Sequence, residues 1–536
     1  MNDTNASSSA APEPTPSIYR RSPLMRLLRW TFSWRGVRWM LIALAWLLTL
    51  VVLFHAEENW RGRRAWNQTR RELEARGKQL DFKALIPKPV PDEQNFAATP
   101  FVQSWFSKRR GGTDSGWNDL YRRAEGMLAN SGIRSSGKGV RGFTDLPAWK
   151  EAFAVAAAGS NAGKQKFQSD QLDRDTRAKA APAVVEGLKT SEPILEELRE
   201  ASRKPSVFYP VRYDREDPWG ILLPHLVEIK TAVSRLRLRA CALLAAGRSD
   251  QALADLKLGV FLSDTLQSEP FLISYLVRIA CLQIMIQPIW EGLAERRWSD
   301  GQLSELQALL HEHELLADTQ PPLDTERAAA LMTVDLIGKG KNYTDLVNGS
   351  PRRRPNPLFY LIPNGWLDLE KHNYCRLFEL LQHGTLDLNT KHVSPAQIAA
   401  NEREFERQTT GGALGRTANV FLHHQLIASL LLPALGKLTS KASTAQVACD
   451  QAALACALER FRLANQRFPE NLNQLLPRFA VSLPNDCITG KPYIYQRISD
   501  EQFLLYSVGW NESDDGGKPG ERLFDLSSAD WVWESQ

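Results

Sequence analysis

Hydrophobic positions along the chain fall into three regimes: one unbroken run, a long stretch of helical periodicity, and a short alternating tail. The unbroken run is Trp39 to Phe54, which carries no charge. With Gly36-Val37 before it and His55-Ala56 after it, the segment reaches the ~20 residues needed to cross ~30 Å of hydrocarbon. It ends Phe54-His55-Ala56 without a small-x-small cleavage pattern, so the expectation is an uncleaved anchor over 36–56. Trp30, Trp34 and Trp39 are expected at headgroup level on the entry side. Residues 1–35 read as a disordered, basic, cytoplasmic tail, Pro-rich at first and then carrying Arg20, Arg21, Arg26, Arg29 and Arg35. Arg61, Arg63, Arg64, Arg70 and Arg71 follow the span, so the Lys/Arg asymmetry that sets orientation is weak. A short tail inside and a large domain outside is the topology this reading favours.

Behind the anchor, 57–142 reads as a stalk helix and linkers. The charged pattern from Glu57 to Leu80 is helical, Pro87, Pro89 and Pro91 end it, and Lys108 to Gly142 reads as loops. Helices are expected at Ala148–Ala158 and Val184–Ser202. The clearest periodicity begins at Leu222: Leu226, Ile229, Val233, Leu236, Ala240 and Leu243 recur at three- and four-residue steps. Gly247-Arg248-Ser249-Asp250 turns the chain, and Leu253, Leu256 and Val260 resume the pattern. With small residues at Ala240, Gly247, Ala252 and Gly259, this hairpin resembles one tetratricopeptide repeat. Phe271 to Trp290 is apolar enough to suggest a second span. It contains Arg278, Gln283, Gln287 and Pro288, so a buried helix is expected instead. Further helices are expected at Phe271–Arg297, Gly301–Leu316, Thr325–Leu336, Leu367–Leu381, Pro395–Arg407 and Leu422–Leu435. They divide into a helical region over 143–340 and a second lobe over 341–442, with a Pro- and Arg-containing linker from Lys339 to Pro363.

The tail, 443–536, reads as a small α+β unit. A helix at Ser443–Asn465 precedes candidate strands Tyr493–Arg497 and Gln502–Tyr506, joined by a hairpin turn at Ile498-Ser499-Asp500-Glu501. The fold class is therefore mainly α: an N-terminal transmembrane helix, a large irregular helical array, and a C-terminal α+β module. Within the tail, Asn465-Gln466-Arg467-Phe468-Pro469-Glu470, Leu483-Pro484-Asn485-Asp486, Gly490-Lys491-Pro492-Tyr493-Ile494-Tyr495, Leu504 to Gly509 and Asp514-Asp515-Gly516-Gly517 follow in order. As a series they resemble the periplasmic module of the G-type major pseudopilins of type II secretion. The resemblance implies a bacterial envelope protein, single-pass in the inner membrane with its bulk periplasmic. It implies envelope or secretion-apparatus proteins as partners. It also implies calcium in the loop after the Ser507-Val508-Gly509 turn, with Asn511, Asp514, Asp515 and Asp525 as ligands, since calcium takes about 6–8 hard oxygen ligands. The chain departs from the family in several places. It has no Phe-Thr-Leu-Ile-Glu processing sequence, Gln466 replaces a glycine, and Asp486-Cys487 replaces Asp-Pro.

Composition adds little chemistry. The net charge of +5 is mild for this length, and the basic clusters Lys108-Arg109-Arg110 and Arg352-Arg353-Arg354 lack interleaved stacking aromatics. No nucleic-acid partner is expected. The cysteines, Cys241, Cys281, Cys375, Cys449, Cys456 and Cys487, are too scattered for a disulfide framework or a zinc site. His311-Glu312-His313-Glu314 lacks the four-residue histidine spacing of zinc hydrolases and reads as a solvated helix face; His423-His424 reads the same way against metal binding. Gly132 to Lys138 has phosphate-loop spacing, but Gly139 stands where Ser or Thr would hold magnesium, and no apolar strand precedes it. Gly411 to Gly415 reads as a loop, no GxSxG elbow occurs, and Asp214 and Glu216 are an ordinary carboxylate pair. The leading expectation is a non-catalytic interaction or scaffold protein. The alternative is an envelope hydrolase with a deep polar cleft in the helical region.

Overall fold

The uncharged run and the charged stretch behind it form one helix, α1 (Trp34–Ala75), entered through Ser33, whose hydroxyl accepts the Gly36 amide. At 1.5 Å per residue it is ~63 Å long. In the computed structural model, which describes residues 30–107, 119–130, 141–159, 172–339, 362–410, 423–527 and 529–534, the apolar half of α1 is uncovered: Trp39, Leu47 and Leu50 are 62%, 57% and 58% exposed. This is a helix long and apolar enough to cross a membrane.

The other helices are α2 (Pro100–Ser107), α3 (Asp119–Asn130), α4 (Leu146–Ala157), α5 (Arg174–Leu188), α6 (Glu192–Ala201), α7 (His225–Ala245) and α8 (Ser249–Asp264). They are followed by α9 (Leu272–Ala294), α10 (Asp300–His311), α11 (Gln320–Gly338), α12 (Asn364–Gln382), α13 (Pro395–Thr410), α14 (Leu426–Leu431) and α15 (Gly436–Asn465). A two-residue hairpin, β1 (Leu386–Asp387) with β2 (His392–Val393), links α12 to α13. An antiparallel meander of β3 (Ile494–Arg497), β4 (Phe503–Ser507) and β5 (Trp531–Glu534) closes the tail. The protein is mainly helical with a small β region near its C-terminus.

Local chemistry explains where elements depart from their expected bounds. The helix expected over Val184–Ser202 is two helices, because Pro193 in the first turn of α6 has no amide to continue the ladder of α5. Helices α2 and α3 form where linkers and loops were expected, and β5 adds an unforeseen edge strand. Helix α15 starts at Gly436 and passes through Ser443 without a break. The hairpin of α7 and α8 turns at Gly247, whose φ of +77° suits glycine, and the Arg248 amide returns to the Leu243 carbonyl at 2.8 Å. Helix α9 is a core helix: buried Arg278 pairs with Asp264 at 3.1 Å and with Asp318, so its charge is answered by protein.

One hydrophobic cluster runs from Leu73 through α7–α12 and α15 to Trp533 in β5. A smaller one joins α3, α4 and α5 to Leu238, Ala242 and Ala245 on α7. Between them lies a buried ion triad. Arg177 of α5 pairs with Glu291 of α9 and with Glu295 just past its end, and its guanidinium lies 4.4 Å from the Phe143 ring centre. Glu291 also accepts the Thr144 amide at 2.8 Å, the Thr144 hydroxyl at 2.6 Å and the Gln287 amide nitrogen at 2.8 Å. The tail is fastened too: Val393 of β2 donates to the Cys487 carbonyl at 2.7 Å, and Gln451 of α15 donates to the Trp531 carbonyl at 2.6 Å.

The charged half of α1 docks on α12, and the two run parallel. Glu58 accepts the Trp366 indole N–H at 2.9 Å, the Thr69 hydroxyl meets His372 Nδ1 at 2.6 Å, and Arg76 reaches Glu379 at 3.5 Å. The helices cross at two glycines. A Cβ on Gly62 would stand 2.1 Å from the Gly365 carbonyl oxygen, and one on Gly365 would stand 2.0 Å from the Glu58 oxygen. Both obstacles are backbone, so no side-chain movement relieves them. Gly365→Leu is expected to cost about 1–3 kcal/mol as overpacking. Hydrogen exchange on the detergent-solubilised chain should show 57–75 losing protection while α7–α9 keep theirs; unchanged protection of 57–75 would refute the close crossing.

Candidate functional site

The acidic loop after β4 is the site that sequence pointed to. Its turns are set by Gly516 and Gly517, with φ of +72° and +74°. Asp514 Oδ1 accepts the Tyr506 hydroxyl at 3.0 Å and the Gly516 amide at 2.9 Å. Asn511 donates its side-chain N–H to Asp515 Oδ2 at 3.0 Å and accepts the Ser513 amide at 3.2 Å. Asp525 stands apart: it accepts the Ser527 amide at 2.8 Å and hydroxyl at 2.6 Å, and these bonds hold its carboxyl below the usual range. The residue that sequence missed is Asp530. It is 1% exposed and accepts the Asp515 amide at 3.3 Å and the Gly517 amide at 2.7 Å. Burial raises its carboxyl, the two amides oppose the rise, and the Asp515 and Asp514 charges add to it. No spacing motif marks Asp530, because only the β5 pairing brings it under the loop.

Calcium needs several oxygens converging on one point. In this loop each carboxylate is engaged by N–H or O–H donors, and Asn511 presents nitrogen to Asp515. Among the described residues, no three His, Cys, Asp or Glu side chains are grouped to hold a metal ion. The side chains of Asn511, Asp514, Asp515 and Asp525 are thus engaged inside the loop, by Tyr506 of β4 and by Ser527, while Asp530 ties the loop to the start of β5.

The histidines of the His311-Glu312-His313-Glu314 stretch separate. Helix α10 ends at His311, and His313 turns inward, placing Nε2 3.1 Å from both Asp264 carboxylate oxygens. It is 4% exposed, which corrects the expectation of a solvated face. Burial lowers the His313 pKa, but the Asp264 bond and charge outweigh it and the net direction is upward. His424 packs on Trp366 with ring centres 4.9 Å apart. Asp214 and Glu216 lie exposed on a loop. The six cysteines are free thiols, all buried, and burial raises the pKa of each. The glycine runs at 132–138 and 411–415 and both basic clusters lie outside the described residues.

A recess sits between the end of α9, α15 and the tail sheet. It measures about 380 Å³ counted to its open mouth and is walled by Trp290, Phe468, Phe503 and Trp533. Two carboxylates border it. Glu459 holds Arg462 through bonds of 2.8 and 2.7 Å, and Glu501 pairs with Arg296, which takes a left-handed φ of +53° just past α9. Each carboxylate is answered by a guanidinium. One further carboxyl is perturbed at the α15–tail junction. Asp450 accepts Gln446 at 3.0 Å and the Tyr493 hydroxyl at 2.9 Å, yet burial pushes it up to about 7.

Two outcomes follow. Calcium titrated into the detergent-solubilised chain is expected to leave its melting temperature unchanged; a site with a Kd on the order of 10⁻³ M, held at about ten times that concentration, would add about 1.4 kcal/mol. For Asp450, the folded state keeps a proton that the unfolded state has released between its ordinary 3.8 and about 7. Stability should therefore fall as pH rises through that window, by at most ~1.4 kcal/mol per pH unit, and level off above it. Thermal melts across pH should show Asp450→Asn flattening this slope; an unaltered slope would exclude Asp450 as its source.

Comparison with known protein families, curated proteins and solved structures returns no match for this chain.

Proposed function

We propose that this protein is a single-pass bacterial envelope scaffold. In this reading α1 anchors it in the inner membrane, the bulk lies in the periplasm, and the helical body and pseudopilin-like tail bind other envelope proteins without catalysis. Type II secretion or pilus-like assemblies are the partner class. The observation that carries the reading is α1 itself. Its apolar half is covered by nothing among the described residues, and its polar half continues without a break into the glycine crossing on α12. An uncovered apolar helix of this size is costly in water and at home in lipid. The docked half makes the anchor a mount that fixes the body's distance from the membrane. The paired state of the buried charges also supports recognition over chemistry, since Arg177, Arg278 and Arg462 each neutralise carboxylates that could otherwise serve as acids or bases.

The test has two arms. The chain should stay with membranes through alkaline carbonate extraction, and a C-terminal epitope should resist protease in intact cells and be cleaved in spheroplasts. Mild crosslinking should then recover envelope proteins, with secretion-apparatus components among them. An epitope still protected in spheroplasts would overturn the topology, and crosslinking that recovers no envelope protein would overturn the scaffold role.

A further inference from the structure

Helix α14 has an outward face of the wrong polarity for water. Residues 425–436 carry no charge. Ile427, Ala428 and Leu432 point into the core at 2% exposure or less, while Leu426 and Leu430, one turn apart, are 46% and 50% exposed. Pro433 continues the same exposed side. A surface helix ordinarily turns charged or polar residues outward.

The contacts around α14 say where this face lies. Glu370 of α12 accepts the Leu426 amide at 2.9 Å and the Ile427 amide at 3.2 Å, fixing the start of α14. Asn373 donates to the His423 carbonyl at 2.9 Å. The adjacent His424 ring lies 4.9 Å from Trp366, and Trp366 lies 6.4 Å from Phe54, the last residue of the uncharged run. Two ring contacts thus connect the start of α14 to the end of the span. Since α12 and α1 run parallel from this point, both α12 and α14 begin at the membrane-facing end of the body. On α1 the next turn carries Trp60, 62% exposed, with the Arg64 guanidinium 5.5 Å from its ring centre, and exposed Arg63 beside it. Aromatic rings with neighbouring cations are the composition of the headgroup layer.

We infer that the Leu426/Leu430 face of α14 is a second membrane contact, seated in the headgroup–acyl boundary of the bilayer that α1 crosses. The inference rests on α1 being an anchor. The occupant is lipid because the face is continuous, through Trp366 and His424, with the end of the spanning run. A monotopic contact of this type gains from apolar burial a few ångströms into the boundary. Together with the glycine crossing it fixes the body's tilt as well as its height.

The experiment uses the full chain in vesicles of phosphatidylethanolamine and phosphatidylglycerol, with and without lipids carrying a nitroxide quencher, either near the headgroup or deep in the acyl chain. All six native thiols are buried, so an added exposed cysteine labels selectively. Leu426→Cys and Leu430→Cys are labelled with an environment-sensitive fluorophore, alongside Leu47→Cys within the span and Val481→Cys, 93% exposed in the tail. The expected result is blue-shifted, lipid-quenched emission at Leu47, Leu426 and Leu430, and none at Val481. Quenching at Leu47 without quenching at Leu426 or Leu430 overturns this inference and leaves the anchor standing, in which case a protein partner or a second copy covers the face. Absence of quenching at Leu47 overturns both. Quenching at Val481 as strong as at Leu430 removes α14's claim to a specific contact.

Discussion

The backbone approach of Gly62 to Gly365 is the constraint on which the protein's arrangement about its long helix depends. Each glycine leaves room for the other helix's carbonyl, and a single methyl at either position would meet backbone about 2 Å away. Without that approach, Asn59, Glu58 and Thr69 would stand too far from α12 to make their bonds to Gly365, Trp366 and His372. The long helix would then be a tether. With it, one rigid element carries an apolar half that lipid can cover and a polar half built into the body.

Inside the body, charge is handled by pairing across elements. Arg177 meets Glu291 of α9 and Glu295 just past its end, Arg278 meets aspartates from α8 and from the turn before α11, and Asp255 lies 2.6 Å from Arg239 and 3.2 Å from Arg199. Such pairs add little net stability over a well-packed apolar core, but losing one partner strands a buried charge at about 3–5 kcal/mol. They therefore act as register devices. Arg177 holds the small cluster of α3–α5 to the main core, and Arg278 marks α9 as a core helix although its hydropathy would suit a membrane. The acidic loop follows the same logic: the Asp530 carboxylate takes the Asp515 and Gly517 amides and ties the turn to the start of β5.

Much of the helical layout was legible beforehand. The three- and four-residue steps from Leu226 to Leu243 did mark the buried face of α7, and Arg278 did argue against a second span. The C-terminal helix and the β3–β4 hairpin followed from periodicity and turn residues. What escaped has physical causes. Strand β5 pairs with β4 across the long connection 508–530, with no short hairpin turn to mark it, and with it went Asp530. Helix α3 sits in a glycine- and arginine-rich stretch, and its Tyr121, Ala124 and Leu128 show an apolar face only against α4. His313 lies two residues beyond the end of α10, where helical spacing no longer predicts direction.

The amino-acid sequence by itself determined the properties that are local or additive: a spanning-length apolar run, a mainly helical chain, the turn at Gly247, cysteines too scattered for a framework. Tertiary structure alone decided which charges are paired, which carboxylates are engaged, and which apolar side chains remain uncovered. Each of these depends on residues far apart in sequence. Glu58 and Trp366, Arg177 and Glu291, or Asp515 and Asp530 meet only once the helices have packed and the sheet has closed. A glycine on a surface helix and an exposed leucine look unremarkable along the chain. They acquire meaning when the fold sets Gly62 on Gly365 and links the start of α14, through His424 and Trp366, to the end of the uncharged run at Phe54.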